Sequence, residues 1–385
     1  MRSGVSTTRA GADLYPRVAP RIRGARVGVV ANHTSFDRGM RHLTWLAARD
    51  AERIAIFTPE HGLYGDAQAG ESVEGGRDPW TGAPVYSLYG AEKSPPADVL
   101  SGLDMVLYSI QDLGLRWYTY AATLKEVVSA AARAGVPVYV LDTPAPLTGR
   151  VEGPILREGY ESFIAPAPMP VRYGLTPGEL ALYYSRVLGL GGEVHVATME
   201  GWSRDMWYDE TGRPWIPPSP AIPSLEAALV YAGTCLFEAA NISEGRGTYS
   251  PFLQVGAPWL DGRCLADILQ GEIRGAALRP VYFKPLWGKY RGERVSGIYI
   301  HVTDRDAYRP FEAALRILRA IWAVHGEAEW LPGRGRPLID MLAGTDEVRL
   351  VVEGSLDLED ALGRWRREAE EWAASVARSG VLQYG

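Results

Sequence analysis

At 385 residues the chain exceeds what one ordinary hydrophobic core holds, so two domains are expected. Its make-up of 46% hydrophobic and 22% charged residues is that of a globular protein, and no apolar run approaches the roughly 18 residues that cross a bilayer. A net charge of -6 without any basic block excludes a nucleic-acid surface as the expected partner.

The opening stretch, MRSGVSTTRAGADLYPRV, has no apolar signal core, which points to a cytoplasmic chain, or a secreted one if the sequence is a processed form. From there the first half alternates strand and helix. ARVGVVA (25–31) reads as a buried strand, with a helix over 37–51. RIAIF (53–57), PVYSLY (84–89) and DMVLYSI (104–110) follow as strands. An alanine-rich helix spans 119–134, then come a strand at 136–142, a helix at 176–188 and a strand at 193–197. Strands apolar on both faces and separated by helices predict a Rossmann-like α/β domain with a mainly parallel sheet.

PWIPPSPAIP (214–223) holds five prolines and is too poor in backbone donors for helix or central strand. It marks the crossing between domains 1–219 and 220–385. Beyond it come a helix at 224–232, strands near 280–284 and 295–302, and helices at 307–325, 335–343 and 357–377, a smaller α+β domain. Two cysteines, Cys235 and Cys264, lack metal-knuckle spacing and read as buried thiols. All but four of the forty basic residues are arginine, and only two asparagines occur, a bias that fits a thermophile or a GC-rich genome.

The residues just after the strands carry the chemistry. NHTS (32–35), TPEHG (58–62), QDLGLRWYTY (111–120) and Asp142 aim polar groups at one rim, where open parallel sheets bind ligands. Thr34 or Ser35 can instead cap the following helix. Glu60 and His61 are poor turn formers, so their place at the end of a buried strand suggests function. GxGxxG after a strand, GxxxxGK[ST], GxSxG and HExxH are all missing, so no cofactor is expected. His33 and His61 can converge with Asp112 or Glu60 on a metal, but no histidine pair has ligand spacing, and no metal is expected. In the second half, FEAANISEGRGTYSPF (237–252) offers Asn241, the carboxylate of Glu244, the guanidinium of Arg246, and glycines for close backbone approach. A glycine turn with an exposed ion pair is the plainer reading.

NHTS, PEHGLYGDAQAG, PVYSLYG, IQDLGLRWYTY, VEGP, LTPGELA, PWIPPSPAIPS and FEAANISEGRGT, in that order, resemble the NamZ/YbbC (DUF1343) family. Its characterised members are exo-β-N-acetylmuramidases with a Rossmann-like domain, a smaller C-terminal domain and a site between them. The resemblance implies a glycosidase acting on a small saccharide, with Glu60 as general acid/base tuned by His61. The second group is Glu244 or Asp112, unless the substrate's own acetamide attacks. Arg116 or Arg246 would bind a lactyl carboxylate; Tyr118, Trp117 or Trp80 would stack on the sugar; Asn32, His33 and Asn241 would bind substrate. Ser109, Thr143, Ala145 and Ala221 depart from the family's usual Asp, Arg and two Asn, which points to a changed sugar preference. A sugar-binding paralogue without turnover and a metal-assisted hydrolase are the competing readings.

Overall fold

In the computed structural model residues 7–68, 70–71 and 75–385 are described; Ala69 of PEHGLYGDAQAG lies outside them. The chain divides into two compact units. One takes the residues up to Arg150 with Gly174–Pro220 and Ala373–Gly385, the other Val151–Tyr173 with Ala221–Trp372.

In the first unit seven strands form one sheet: β1 (Arg26–Ala31), β2 (Arg53–Thr58), β3 (Gly76–Arg77), β4 (Pro84–Ser87), β5 (Met105–Ser109), β6 (Val138–Leu141) and β7 (Val194–Ala197). Their order is β3-β4-β2-β1-β5-β6-β7, and only the edge strand β3 runs antiparallel to its neighbour. β1 sits between β2 and β5, with Val29 level with Ile56 on one side and Leu107 on the other. The chain therefore reverses its direction of build between β1 and β5, which places the switch point at the ends of those strands.

Val27, Val29, Ile56 and Leu107 pack with Tyr15, Val18 and Ile22 of α1 (Tyr15–Ile22) and with Leu43 and Leu46 of α2 (Leu43–Asp50). α1 is a helix the sequence conceals, because Pro16 and Pro20 read as breakers; Pro16 falls at the helix start, where no donor is lost. α2 starts six residues later than the pattern suggests. Asp37 accepts the Arg41 N–H at 2.8 Å and closes a turn, and the ring of His42 caps the helix by accepting the Thr44 N–H. The expected caps are used elsewhere: the Ser35 hydroxyl donates to the Ser109 carbonyl and that of Thr34 to the Asn32 side chain. α3 (Ala97–Leu100) is one turn, and α4 (Tyr120–Ala134) buries Tyr120, Leu124, Val127 and Val128, the helical spacing visible in the sequence. α5 (Pro177–Leu182) opens with a reciprocal cap between Thr176 and Glu179.

The second unit holds a three-stranded antiparallel sheet, β8 (Gln254–Ala257), β9 (Ala276–Phe283) and β10 (Val295–Val302), in the order β8-β10-β9. Its helices are α6 (Leu225–Thr234), α7 (Gly262–Ile268), α8 (Pro310–Val324), α9 (Leu338–Ala343), α10 (Glu347–Val352) and α11 (Leu358–Arg378). β8, α7 and α10 are too short to show a period. Cys264 on α7 is half-buried rather than a core thiol; Cys235 is buried, and both are free.

The boundary at Pro220 lies inside the proline-rich segment; by contacts, the second unit also takes Val151–Tyr173 and the first also takes Ala373–Gly385. Segment 151–173 goes with the second unit, because the buried Glu152 carboxylate accepts the N–H groups of Phe311 (3.0 Å) and Glu312 (3.3 Å) at the start of α8. The C-terminal residues go with the first. Tyr384 donates to Asp142 at 2.6 Å, Gln383 N–H to Glu179 at 2.9 Å, and the Tyr384 ring meets Trp202 edge-on at 5.0 Å. Both attachments join residues more than 150 positions apart, which no local pattern announces.

Candidate active site

Glu60 follows β2 and is 9% exposed. One carboxylate oxygen accepts the Gly70 N–H at 2.9 Å and the other the Thr119 hydroxyl at 2.7 Å. Thr119 precedes α4, yet its hydroxyl goes to Glu60 rather than to a helix N–H. The strand end and the helix start are thus joined through this one acid. Among the described residues no cation pairs with Glu60, so its carboxyl is held by neutral donors alone.

His61 takes a left-handed backbone, φ 73°, which costs a non-glycine residue about 1 kcal/mol or more. Its Nδ1 lies 2.9 Å from the Ala67 carbonyl, which can only accept, so the proton is on Nδ1. Four residues on, Gly65 is required: a Cβ there would come within 2.5 Å of the His33 ring. His33 in turn donates from Nε2 to the Pro217 carbonyl at 2.7 Å, and burial pulls its pKa down, so the ring is neutral.

Asn32 is wholly buried, and both ends of its amide are hydrogen-bonded. Oδ1 accepts from Thr34 N–H (2.9 Å) and its hydroxyl, and Nδ2 donates to the Tyr120 hydroxyl at 3.0 Å. Tyr120 then donates to the Pro218 carbonyl at 2.7 Å. The proline-rich segment lacks donors, but its carbonyls accept from His33 and Tyr120 beside the strand ends. Burial, with the nearby Glu60 charge, raises the Tyr120 pKa, so the phenol stays protonated. Tyr120→Phe leaves the Asn32 amide and the Pro218 carbonyl without their partner; we expect a loss of about 1–3 kcal/mol in denaturant unfolding.

Asp112 is buried, and its Oδ1 accepts the N–H groups of Leu113 (2.5 Å) and Gly114 (3.3 Å), shaping its own turn. Arg116 is wholly buried, and desolvation lowers its pKa to about 9, which still leaves it charged at neutral pH. Tyr118 lies against Tyr120 with ring centroids 4.7 Å apart. Of the three aromatic residues expected to stack on sugar, Trp117 and Tyr118 are buried and Trp80 is 59% exposed. Trp80 stands edge-on to Trp45 (4.9 Å) and Tyr64 (4.5 Å). No group of three His, Cys, Asp or Glu side chains among the described residues could hold a metal.

The second unit contains a separate charged cluster. Glu244 is 4% exposed and pairs with Arg246 at 3.3 Å and Lys289 at 3.2 Å. Arg246 also binds Glu238 at 2.9 Å and lies over the Phe252 ring at 4.8 Å. Burial opposes its charge, but Glu238 and Glu244 together raise its pKa. Asn241 staples a loop, donating to the Glu327 carbonyl at 2.7 Å and accepting the Glu329 N–H at 2.9 Å. The glycine turn therefore carries a mostly buried ionic cluster, not an exposed ion pair.

Sequence reasoning missed Thr119, the proline carbonyls and Lys289. Lys289 had a signal: it is one of four lysines in an arginine-rich chain. Its ammonium donates to the carbonyls of Phe237 (2.8 Å), Ile242 (2.9 Å) and Glu238 (3.2 Å), a convergence that suits a compact head better than a planar guanidinium.

A mainly parallel α/β sheet with a buried acid just after β2, and without a phosphate loop, is the frame of a Rossmann-like domain. Family profiles described as exo-β-N-acetylmuramidase NamZ match residues 27–226 (N-terminal) and 229–382 (C-terminal). The peptidoglycan β-N-acetylmuramidase NamZ of Bacillus subtilis (strain 168) is 34% identical over 375 residues, 96% of this chain and 90% of that protein. Two DUF1343 family crystal structures from Bacteroides fragilis also match. One has a TM-score of 0.89 at 30% identity and the other 0.78 at 26%, each covering 98% of this chain and 99% of its own. The chain belongs to the NamZ (DUF1343) family and is a glycosidase.

Proposed function

We propose that this chain releases a terminal N-acetylmuramic acid, or a closely related sugar, from peptidoglycan-type fragments, with Glu60 as general acid/base. Family membership supports the reaction class. The observation that carries the assignment of Glu60 is its setting: an acid at the carboxyl end of β2, held on both oxygens by neutral donors and paired with no cation among the described residues. A carboxyl in that state can exchange a proton with a leaving oxygen. His61, with its tautomer fixed by Ala67, orients the turn that presents the acid.

The second group is Glu244 or Asp112. Glu244 is tied to Arg246 and Lys289, which makes it the less ready of the two to face developing positive charge on the sugar. The substituted positions bear on sugar choice. Ala145 packs with Ala10, Met199 and Trp202, an apolar setting that offers no partner for a substrate amide. Thr143 donates its hydroxyl to the Ile110 carbonyl at 3.2 Å.

A panel of chromogenic glycosides tests the reading. Hydrolysis of the β-N-acetylmuramide well above β-N-acetylglucosaminide, and undiminished by a chelator, is expected. Turnover abolished by the chelator and restored by a divalent ion contradicts it, as does absence of hydrolysis across the panel.

A further inference from the structure

Thr119 stands where a helix is ordinarily capped, yet its side chain caps nothing. Its backbone is already helical, φ -61° and ψ -15°, so the hydroxyl is not turned onto a free N–H of α4 as that of an extended cap residue is. The hydroxyl donates instead to Oε2 of Glu60 at 2.7 Å, and among the described residues it has no other partner. The donor is held firmly. The Thr119 carbonyl accepts the Thr123 N–H at 2.9 Å and the Thr123 hydroxyl at 3.2 Å, in the first turn of α4. Glu60 and both of its donors, Thr119 and Gly70, lie in the first unit.

The two donors differ in what they permit. The Gly70 N–H only donates, and it keeps a carbonyl-type oxygen to bond only when the acid's proton sits on Oε2. That is the oxygen Thr119 touches. A protonated carboxyl oxygen is a poor acceptor, so the Thr119 bond is weak while Glu60 holds its proton. Once the proton has gone, the same bond is made to a carboxylate and is roughly twice as strong. An interaction that strengthens as a step proceeds lowers the barrier of that step.

We propose that Thr119 is a positioning residue for proton donation: it fixes Oε2 as the oxygen that carries the proton and stabilises the carboxylate left behind. This rests on the reading of Glu60 as general acid, and it adds the group that helps the proton leave. In the step concerned, the Oε2 proton moves to the oxygen joining the two sugars. The bond from that oxygen to the anomeric carbon breaks, its electron pair stays on the oxygen, and Glu60 keeps the negative charge; water takes the vacated place on the carbon. Thr119 itself neither gains nor loses a proton. The other ionisable groups around the acid are His61 and Asp66 on its own turn, His33 after β1, Asp112 after β5 and Tyr120 on α4, and none of them bonds the Thr119 hydroxyl.

The test is the pH profile of kcat/KM on a peptidoglycan disaccharide for the full-length chain, Thr119→Val and Thr119→Ser. Without its donor the carboxylate is less favoured, so Thr119→Val should move the alkaline limb up by about one pH unit and lower kcat about tenfold, with KM little changed. Thr119→Ser keeps a hydroxyl and should bring back both the limb and most of the rate. A nitrophenyl β-N-acetylmuramide, whose leaving group departs without a proton, should lose much less than the disaccharide in Thr119→Val. The same shift should appear without substrate, in the infrared carboxyl band that Glu60→Gln removes. An unmoved limb and band, a loss that Thr119→Ser does not recover, equal loss on both substrates, or a Thr119→Val chain that fails to fold overturns the role. Turnover lost in Glu60→Gln beside an unmoved limb in Thr119→Val leaves the acid standing and removes Thr119 alone; full turnover in Glu60→Gln removes both.

Discussion

Glu60→Gln is expected to reduce turnover of a peptidoglycan disaccharide by about a thousandfold, the range set by loss of a general acid. KM should change little, because the amide occupies the same space. Folding should survive as well, for a reason visible in the hydrogen bonds. The amide oxygen still accepts the Gly70 N–H, and its NH2 can donate to the Thr119 hydroxyl, which then accepts where it formerly donated. Unfolding free energy should therefore move by about 1 kcal/mol or less. A variant that unfolds in parallel with its loss of turnover would mean that the acid serves structure. Steady-state kinetics beside a denaturant titration separates the two.

The largest effect on stability is expected at Asp142, at the end of β6. Its Oδ1 accepts the N–H groups of Thr143 (3.0 Å) and Gly178 (2.7 Å), and its Oδ2 the hydroxyls of Thr176 (2.7 Å) and Tyr384 (2.6 Å). Asp142→Ala strands two buried backbone donors and releases the C-terminal tyrosine, at a cost of about 4 kcal/mol. Asp142→Asn should be mild, because its oxygen keeps both N–H groups while its NH2 donates to the two hydroxyls.

The pH dependence distinguishes these further. Burial, reinforced by the Glu179 charge, pushes the Asp142 carboxyl from 3.8 up to about 7. A carboxyl that binds its proton more tightly when folded favours the folded state fully below the unfolded pKa. That contribution is lost as pH rises through the folded value. Between pH 4 and 7 the loss is on the order of 4 kcal/mol, at about 1.4 kcal/mol per unit. Asp142→Asn lacks this slope, so its stability relative to the unsubstituted chain should improve as pH rises. Guanidinium titrations at both ends of the window check this; parallel curves would show that Asp142 carries no such linkage.

How legible these features were depends on the range of the interactions behind them. β1, β2, β5 and β6 were plain because a strand buried on both faces is a continuous apolar run, and α4 because its buried residues recur at helical spacing. Glu60 stood out because nothing local uses a glutamate at a strand end. Thr119 lay unread between two tyrosines of the same motif, since a threonine before a helix ordinarily caps it. The assignments of segments 151–173 and 373–385 rest on Glu152 and Tyr384 meeting partners far along the chain, and no periodicity encodes such a meeting. The buried ionic cluster around Glu244 was half visible: its acid and arginine are two positions apart in sequence, while the lysine that completes it comes from a loop 45 positions later.

A crystal structure of the Glu60→Gln chain soaked with an N-acetylmuramic acid-terminated disaccharide puts the catalytic claim to its most direct test. The side chain of residue 60 is expected within about 3 Å of the oxygen joining the two sugars. A disaccharide bound with that oxygen out of reach of residue 60, and beside another carboxyl, would contradict it.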